Sequence, residues 1–288
     1  MKSPLSNLQS FIQLTKPRLT LMATAMVLSS FYLGSPAILN TTLLFHTLVG
    51  AFLTGAGINS LNQFLEKRED AVMKRTEKRP LVQKTLTERS AQWFGILLSV
   101  SGMGYLFLKV NGAAGFAAVL TSAIYLFLYT PLKKHSAFNT LIGAAAGAMP
   151  VWIGWTGTGS SWQNKGAWVL FAILFFWQLP HFLAIAWVYR EDYKAGGFRM
   201  VTLGDAHGKP TARLILFASA ALFLSSLLPT VLNITGLLYL SAAIISGPLF
   251  LALAYDLVRR PMVLAKPFVP ASIFYLSVLN IFMLFDKR

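Results

Sequence analysis

Nine stretches of predominantly apolar residues recur along the chain, near 19–38, 42–65, 91–109, 113–131, 139–159, 166–189, 213–232, 234–255 and 268–285. Each is close to the roughly 20 residues that a helix needs to cross about 30 Å of hydrocarbon. A bilayer core leaves backbone amides no water to bond, so only helices and closed barrels span it. These runs lack the weak ten-residue alternation of a membrane barrel. The expected fold is therefore an all-α polytopic membrane protein, with nine transmembrane helices around a central cavity. Composition agrees: 55% of residues are hydrophobic, 12% are charged and the mean hydropathy is +0.59, which excludes an ordinary soluble domain. The opening "MKSPLSNLQSFIQLTKPR" lacks a compact apolar core followed by a small-residue cleavage site, so no signal peptide is expected. With no cysteine, a disulfide framework, a thiol nucleophile and a thiolate metal site are all excluded.

A net charge of +15 invites a nucleic-acid partner, but its placement speaks for a membrane. Nine crossings alternate the side on which each connection emerges. Of the 25 Lys and Arg, 21 fall on the side of the N-terminus; Lys109, Lys165, Lys287 and Arg288 fall on the other. Cytoplasmic loops carry such an excess, so the expected location is the cytoplasmic (inner) membrane, with a cytoplasmic N-terminus and an external C-terminus. No nucleic acid is expected as a partner; the lipid bilayer is. No soluble linker or low-complexity run interrupts the chain, so residues 1–288 are expected to form one membrane-embedded domain.

Two cytoplasmic connections stand out, at about 66–90 and 190–212, because together they hold eight of the ten carboxylates. Asn62, Glu66 and Asp70 recur at four-residue spacing, which stacks them on one helix face over about 12 Å. Asn62 and Glu66 lie at the end of an apolar run, where polar groups are expensive and usually face a cavity. Three oxygen donors in a row suit a hard cation; Mg²⁺ usually binds through one or two carboxylates together with substrate phosphates. Lys74, Arg75, Lys78 and Arg79 follow at once, and the guanidinium fork fits phosphate oxygens. The second cluster supplies Asp192, with Arg190, Glu191, Lys194 and Arg199 around it. Lys67, Arg68, Glu69, Glu77, Lys84, Glu88 and Arg89 read as ordinary solvated loop charge. Small residues in "GAFLTGAG" (50–57) and "GAAAGAMP" (143–150) read as close helix packing.

"NQFLEKRED" (62–70) resembles the first Asp-rich motif of the UbiA-type intramembrane prenyltransferases, Asn-x3-Asp-x3-Asp. The likeness extends over "TKPRLT" (15–20), "NQFLEKREDAVMKRTEKRPL" (62–81), "YTPLKKHSAFNTLIGAAAGAMPVWIGWTG" (129–157) and "WQLPHFLAIAWVYREDYKAGGFRMV" (177–201); the last third matches in hydrophobic layout alone. The resemblance implies that Asn62, Glu66 and Asp70 bind Mg²⁺ and a diphosphate, with Asp192 contributing from the opposite lip. It assigns the diphosphate also to Arg75 and Arg79, of an Arg-Thr-x-x-Arg-Pro-Leu element, and to the basic pair Lys133 and Lys134. Lys74 and Lys194 are expected beside them. Glu66 departs from the pattern by one methylene. His181 departs further, standing where quinone-type members begin a second motif with Asp.

The implied reaction joins the farnesyl group of farnesyl diphosphate to a vinyl group of heme b, with water adding and diphosphate leaving. It needs cations at the leaving group, exclusion of water from the allylic cation, and aromatic faces along the path. Tyr125, Tyr129, Trp152, Trp155, Trp177 and Trp187 are candidates for those faces, although ordinary packing is the default for each. His181 reads as an iron ligand, a proton carrier or a buried structural group; His46 reads as packing or a helix–helix hydrogen bond. Transient contact with a heme A synthase or a terminal-oxidase assembly is a further expectation. Two readings stay open: prenyl transfer to a quinone or chlorophyll-type acceptor, and a non-enzymatic transporter of heme or lipid phosphate with its site at the midplane.

Overall fold

The computed structural model describes residues 4–288; residues 1–3, including the Lys2 counted above, lie outside the described residues. Every extended element is a helix. The order is α1 (Pro4–Leu14), α2 (Pro17–Gly34), α3 (Thr41–Leu65), α4 (Lys67–Asp70), α5 (Glu88–Lys109), α6 (Gly112–Ala123), α7 (Thr130–His135), α8 (Asn139–Ala148) and α9 (Pro150–Gly157). It continues with α10 (Lys165–Val188), α11 (Arg190–Ala195), α12 (Lys209–Val231), α13 (Leu237–Arg259) and α14 (Ala265–Phe285). A π-helical stretch, Ile124–Tyr129, joins α6 to α7, so that Gly112–His135 is one crossing. Seven of these segments are long and apolar enough to span a membrane by themselves. The 18-residue α2 and the α8–α9 pair fill the two remaining places in the nine-stretch layout.

Local chemistry sets the breaks. Asn40, Thr87, Asn111 and Asn164 cap α3, α5, α6 and α10, each accepting a hydrogen bond from a first-turn amide. Pro150 has no N–H to donate, which divides α8 from α9 at Met149. Asp205 prepares the start of α12, accepting from the amides of His207, Gly208 and Thr211.

Small residues decide which helices touch. A Cβ on Gly57 would stand 2.4 Å from the Ser99 amide, and one on Gly102 would stand 2.4 Å from that of Thr54. Glycine at these places lets α3 and α5 run backbone to backbone, where dispersion contacts rather than hydrophobic expulsion hold membrane helices together. His46 Nδ1 lies 2.7 Å from the Tyr105 hydroxyl in the same seam, the expected helix–helix bond. The other principal pairings are α10 with α12, α2 with α9 and α12 with α13. Thus α3 is fixed along its length, and its C-terminal end carries Asn62.

Candidate active site

The helical hydrogen-bond path outlasts α3. The Glu66 amide donates to the Asn62 carbonyl at 3.0 Å, and the Asp70 amide to the Glu66 carbonyl at 2.8 Å. The four-residue stacking of Asn62, Glu66 and Asp70 therefore survives the helix end, and all three side chains are buried. Each meets a cation from a different part of the chain. Lys16 Nζ donates to Asn62 Oδ1 at 2.9 Å, Lys133 Nζ donates to Glu66 Oε1 at 2.6 Å, and Arg79 pairs with Asp70 Oδ2. Asn62 also donates to Thr130 Oγ1 at 3.4 Å. The Lys133 ammonium lies 4.4 Å from the Tyr129 ring centroid, over its negative face.

Lys16 is the member that sequence reasoning did not single out. Its backbone is left-handed, with φ of 46°, immediately before the proline that opens α2. Strain of this kind persists only where surrounding structure fixes it, and it often marks a working site. Glu69, read above as solvated loop charge, is also drawn in: it pairs with Lys134 and leaves Oε2 buried without a partner. Lys67 and Glu88, read the same way, do form an ordinary surface pair.

The electrostatics are uneven along the row. Burial pushes the Lys16 ammonium down to about 7, and the cationic Arg79 and Lys133 push the same way against Glu66 and Asp70. Burial favours the neutral Glu66 carboxyl, but Lys133, Lys16 and Arg79 outweigh it and hold the group below its usual value. At Asp70 burial wins. Arg79 offsets it only in part, so that carboxyl is raised. Asp70 Oδ1 is buried with no hydrogen-bond partner. Among the described residues no three acidic or histidine groups form a closed metal cage. An unpartnered oxygen on an under-compensated carboxylate, beside the Asn62 and Glu66 oxygens, suits an open Mg²⁺ site completed by substrate phosphate.

The second cluster meets the first through the backbone. Asp192 on α11 accepts from the amides of Lys74 at 3.3 Å and Arg75 at 3.0 Å. Its contacts are thus to the 71–87 connection, not to the Asn62, Glu66 and Asp70 side chains; each carboxylate oxygen keeps a further lone pair. Arg75 donates to the Tyr193 hydroxyl at 3.3 Å, and its guanidinium lies over the Tyr189 and Tyr193 rings. The Arg199 amide donates to the Lys133 carbonyl at 2.7 Å, which fixes the basic pair from the same side. The side chains of Lys74 and Lys194 are exposed and have no partner among the described residues. His181 stands apart on α10, its Nδ1 2.7 Å from Ser272 Oγ of α14. Of the aromatic candidates, Tyr129 lies under Lys133, Trp187 lies under Arg190, and Trp152 belongs to an aromatic cluster with Trp162 and Trp168.

Membraneward of this row, beginning at Thr20 and Ile58, a narrow apolar cleft of about 40 Å³ runs between α2, α3, α6 and α9. Ala23, Val27, Ala51 and Ile153 line it. A charged rim that takes anions thus opens on a slot that takes hydrocarbon.

Such a rim and slot are what a diphosphate carrying a hydrocarbon tail would require. The model of the UbiA prenyltransferase family matches residues 21–279, and the chain belongs to that family. A protoheme IX farnesyltransferase of Solibacter usitatus (strain Ellin6076) is 38% identical over 293 residues, covering 97% of this chain and 99% of that protein. The fold is similar to that of a digeranylgeranylglyceryl phosphate synthase, with a TM-score of 0.81 at 17% identity over 97% of this chain and 98% of that one. It is also similar to a UbiA homolog from Archaeoglobus fulgidus bound to GPP and Mg²⁺, with a TM-score of 0.64 at 14% identity over 96% and 99%.

Proposed function

We propose that this chain transfers the farnesyl group of farnesyl diphosphate to a vinyl group of protoheme IX (heme b), giving heme O and releasing diphosphate. The observation that carries the reading is the buried row of Asn62, Glu66 and Asp70, each met by a separate cation, above an apolar slot. Kinship with a protoheme IX farnesyltransferase supports heme as acceptor over a quinone. The polar groups gather at the helix ends rather than at the midplane, which favours an enzyme over a transporter.

In this reading the farnesyl chain lies in the slot and its diphosphate meets Lys16, Lys133 and Arg79. These cations exchange part of their carboxylate contacts for phosphate oxygens; Arg79 holds the bound diphosphate, and Lys16 and Lys133 stabilise the charge that builds on it as it leaves. Arg75, Lys74, Lys134 and Lys194 complete the basic surround. Asn62, Glu66 and Asp70, with Asp192 as a further donor, would hold Mg²⁺, which would supply Lewis-acid stabilisation of the departing diphosphate. By pinning the 71–87 connection over the row, Asp192 helps to keep water from the allylic carbon. The Tyr129 ring, beside Lys133, offers an electron-rich face to the cationic carbon.

We place the whole chain in one membrane-embedded domain, with the site facing the cytoplasm and the C-terminus outside. Purified protein incubated with heme b, farnesyl diphosphate and Mg²⁺, followed by mass spectrometry of the heme, tests the assignment. Farnesylated heme from the wild type and none from Asp70→Ala is the expected result. Unmodified heme from an intact wild type would refute it.

A further inference from the structure

Gln178 is a primary amide inside α10, 4% exposed, with no hydrogen-bond partner among the described residues. It is seated over Gly147 of α8. A Cβ built on Gly147 would stand 2.1 Å from its Oε1 and 2.4 Å from its Nε2. The missing side chain at 147 thus makes the room that the amide occupies. Its amide atoms are not sealed off, so they border open space where a polar molecule that binds during the reaction can meet them.

Its depth can be read along α8. Tyr129, the ring beneath Lys133, is fitted against Gly143 as Gln178 is against Gly147. Four residues of helix separate the two contacts, about 6 Å. Gln178 therefore lies one turn deeper than the ring beneath Lys133, against the same face of α8.

His181 follows three residues later and is its neighbour on the helix surface. Ser272 Oγ donates its only proton to the Val269 carbonyl at 2.6 Å, so toward His181 it must accept. That places the imidazole proton on Nδ1 and leaves Nε2 with a free lone pair. Stacking on Trp177 at 4.8 Å fixes the ring, and Trp177 is itself tied to the Ser272 carbonyl at 2.6 Å. A buried base with an assigned tautomer thus stands beside an unpartnered amide.

We infer that Gln178 and His181 carry out the hydration half of the reaction: the Gln178 amide orients a water molecule, and His181 Nε2 takes its proton. The inference rests on the proposed transfer to a heme vinyl group. As the C1–O bond of the farnesyl group breaks, its electron pair leaves with diphosphate. The terminal vinyl carbon bonds to C1, and positive charge is left on the vinyl carbon next to the macrocycle. The oxygen of the oriented water bonds to that carbon and one water proton passes to Nε2, leaving a hydroxyl. Without the oriented water the same cation sheds a proton from carbon, and the product is an alkene lighter by one water.

The test is the ratio of hydroxylated to dehydrated farnesyl heme, measured by liquid chromatography and mass spectrometry on purified full-length protein with heme b, farnesyl diphosphate and Mg²⁺. The wild type should give the hydroxylated product. Gln178→Leu should shift the ratio toward the alkene by roughly tenfold, the worth of one hydrogen bond to a reacting group, while Gln178→Asn restores part of it. Gly147→Ala drives a methyl into the amide and should shift the ratio the same way if Gln178→Leu fails to fold. His181→Ala should slow turnover by about a hundredfold and leave affinity for a non-hydrolysable farnesyl diphosphate analogue unchanged. A lower yield of product with the wild-type ratio in both Gln178→Leu and Gly147→Ala would make the amide merely structural and overturn the inference. A wild type that prenylates no heme would overturn the transfer reading as well.

Discussion

Lys133 Nζ lies 2.6 Å from Glu66 Oε1, joining the end of α7 to the end of α3 across 67 residues of chain. Both groups are largely buried, so the pair is a structural commitment as well as a store of positive charge beside the site. Removing one partner of such a pair strands the other, at a cost of about 3–5 kcal/mol. Lys133→Met should therefore lower thermal stability in detergent sharply. The double variant Glu66→Gln with Lys133→Met should recover most of that stability while remaining inactive. A circular-dichroism melt of the wild type and the two variants checks this; equal losses in the single and double variants would contradict it.

Asp70→Ala and Asn62→Ala should abolish turnover and leave the protein folded. Asp70 carries the one row oxygen that is buried without a partner, and Asn62 orients Lys16. Near-normal turnover of either variant at saturating Mg²⁺ would dismiss the metal assignment. Arg79→Ala should chiefly raise the KM for farnesyl diphosphate, as expected of a contact equally strong in ground and transition states. An unchanged KM with a collapsed kcat would reverse that division.

Asp192→Asn should loosen the 71–87 connection. The carboxylate accepts from two backbone amides, and hydrogen bonds to a charged group are worth about 1.5–3 kcal/mol each. Trypsin should cut after Lys74 or Arg75 markedly faster in the variant than in the wild type. Tyr193→Phe, which loses only the contact from Arg75, should have a smaller effect. Equal rates of cleavage in all three would show that Asp192 does not hold the connection.

Asp205 provides a pH signature remote from the site. Burial favours its neutral form, but the Thr211, Gly208 and His207 amides outweigh burial and hold the carboxyl below its usual value. A depressed carboxyl contributes stability that is fully present above the unfolded value of about 3.9 and is lost as pH falls through the lower folded value. Asp205→Ala should therefore cost about 1 kcal/mol at neutral pH, as loss of a helix cap does. It should also flatten the fall in stability below pH of about 4. Identical acid limbs for variant and wild type would refute this.

What the sequence made legible divides along physical lines. Hydrocarbon thickness imposes length and polarity on every crossing, so the apolar stretches could be read; seven are helices long and apolar enough to span alone, whereas 139–159, read as one stretch, is divided at Pro150. The row at 62, 66 and 70 was legible because helical spacing is local and persists past Leu65. Pairings between distant segments were not. Nothing local announces that Lys16 turns back from a left-handed backbone to reach Asn62, or that Glu69 leaves solvent for Lys134. Asp192 looked like a ligand-bearing carboxylate, and its use of the Lys74 and Arg75 amides depends on how two loops meet. Gln178 was invisible for a related reason: an unpartnered amide is recognisable only once its surroundings are known.

Diphosphate should leave this site only when the prenyl group has heme to attack. Its release from farnesyl diphosphate by purified protein, followed with and without heme b, is the decisive measurement. Release should require heme b and Mg²⁺, disappear in Asp70→Ala, and not be supported by an aromatic quinone precursor in place of heme. Release at the same rate without heme b, or with the quinone precursor in its place, would contradict it.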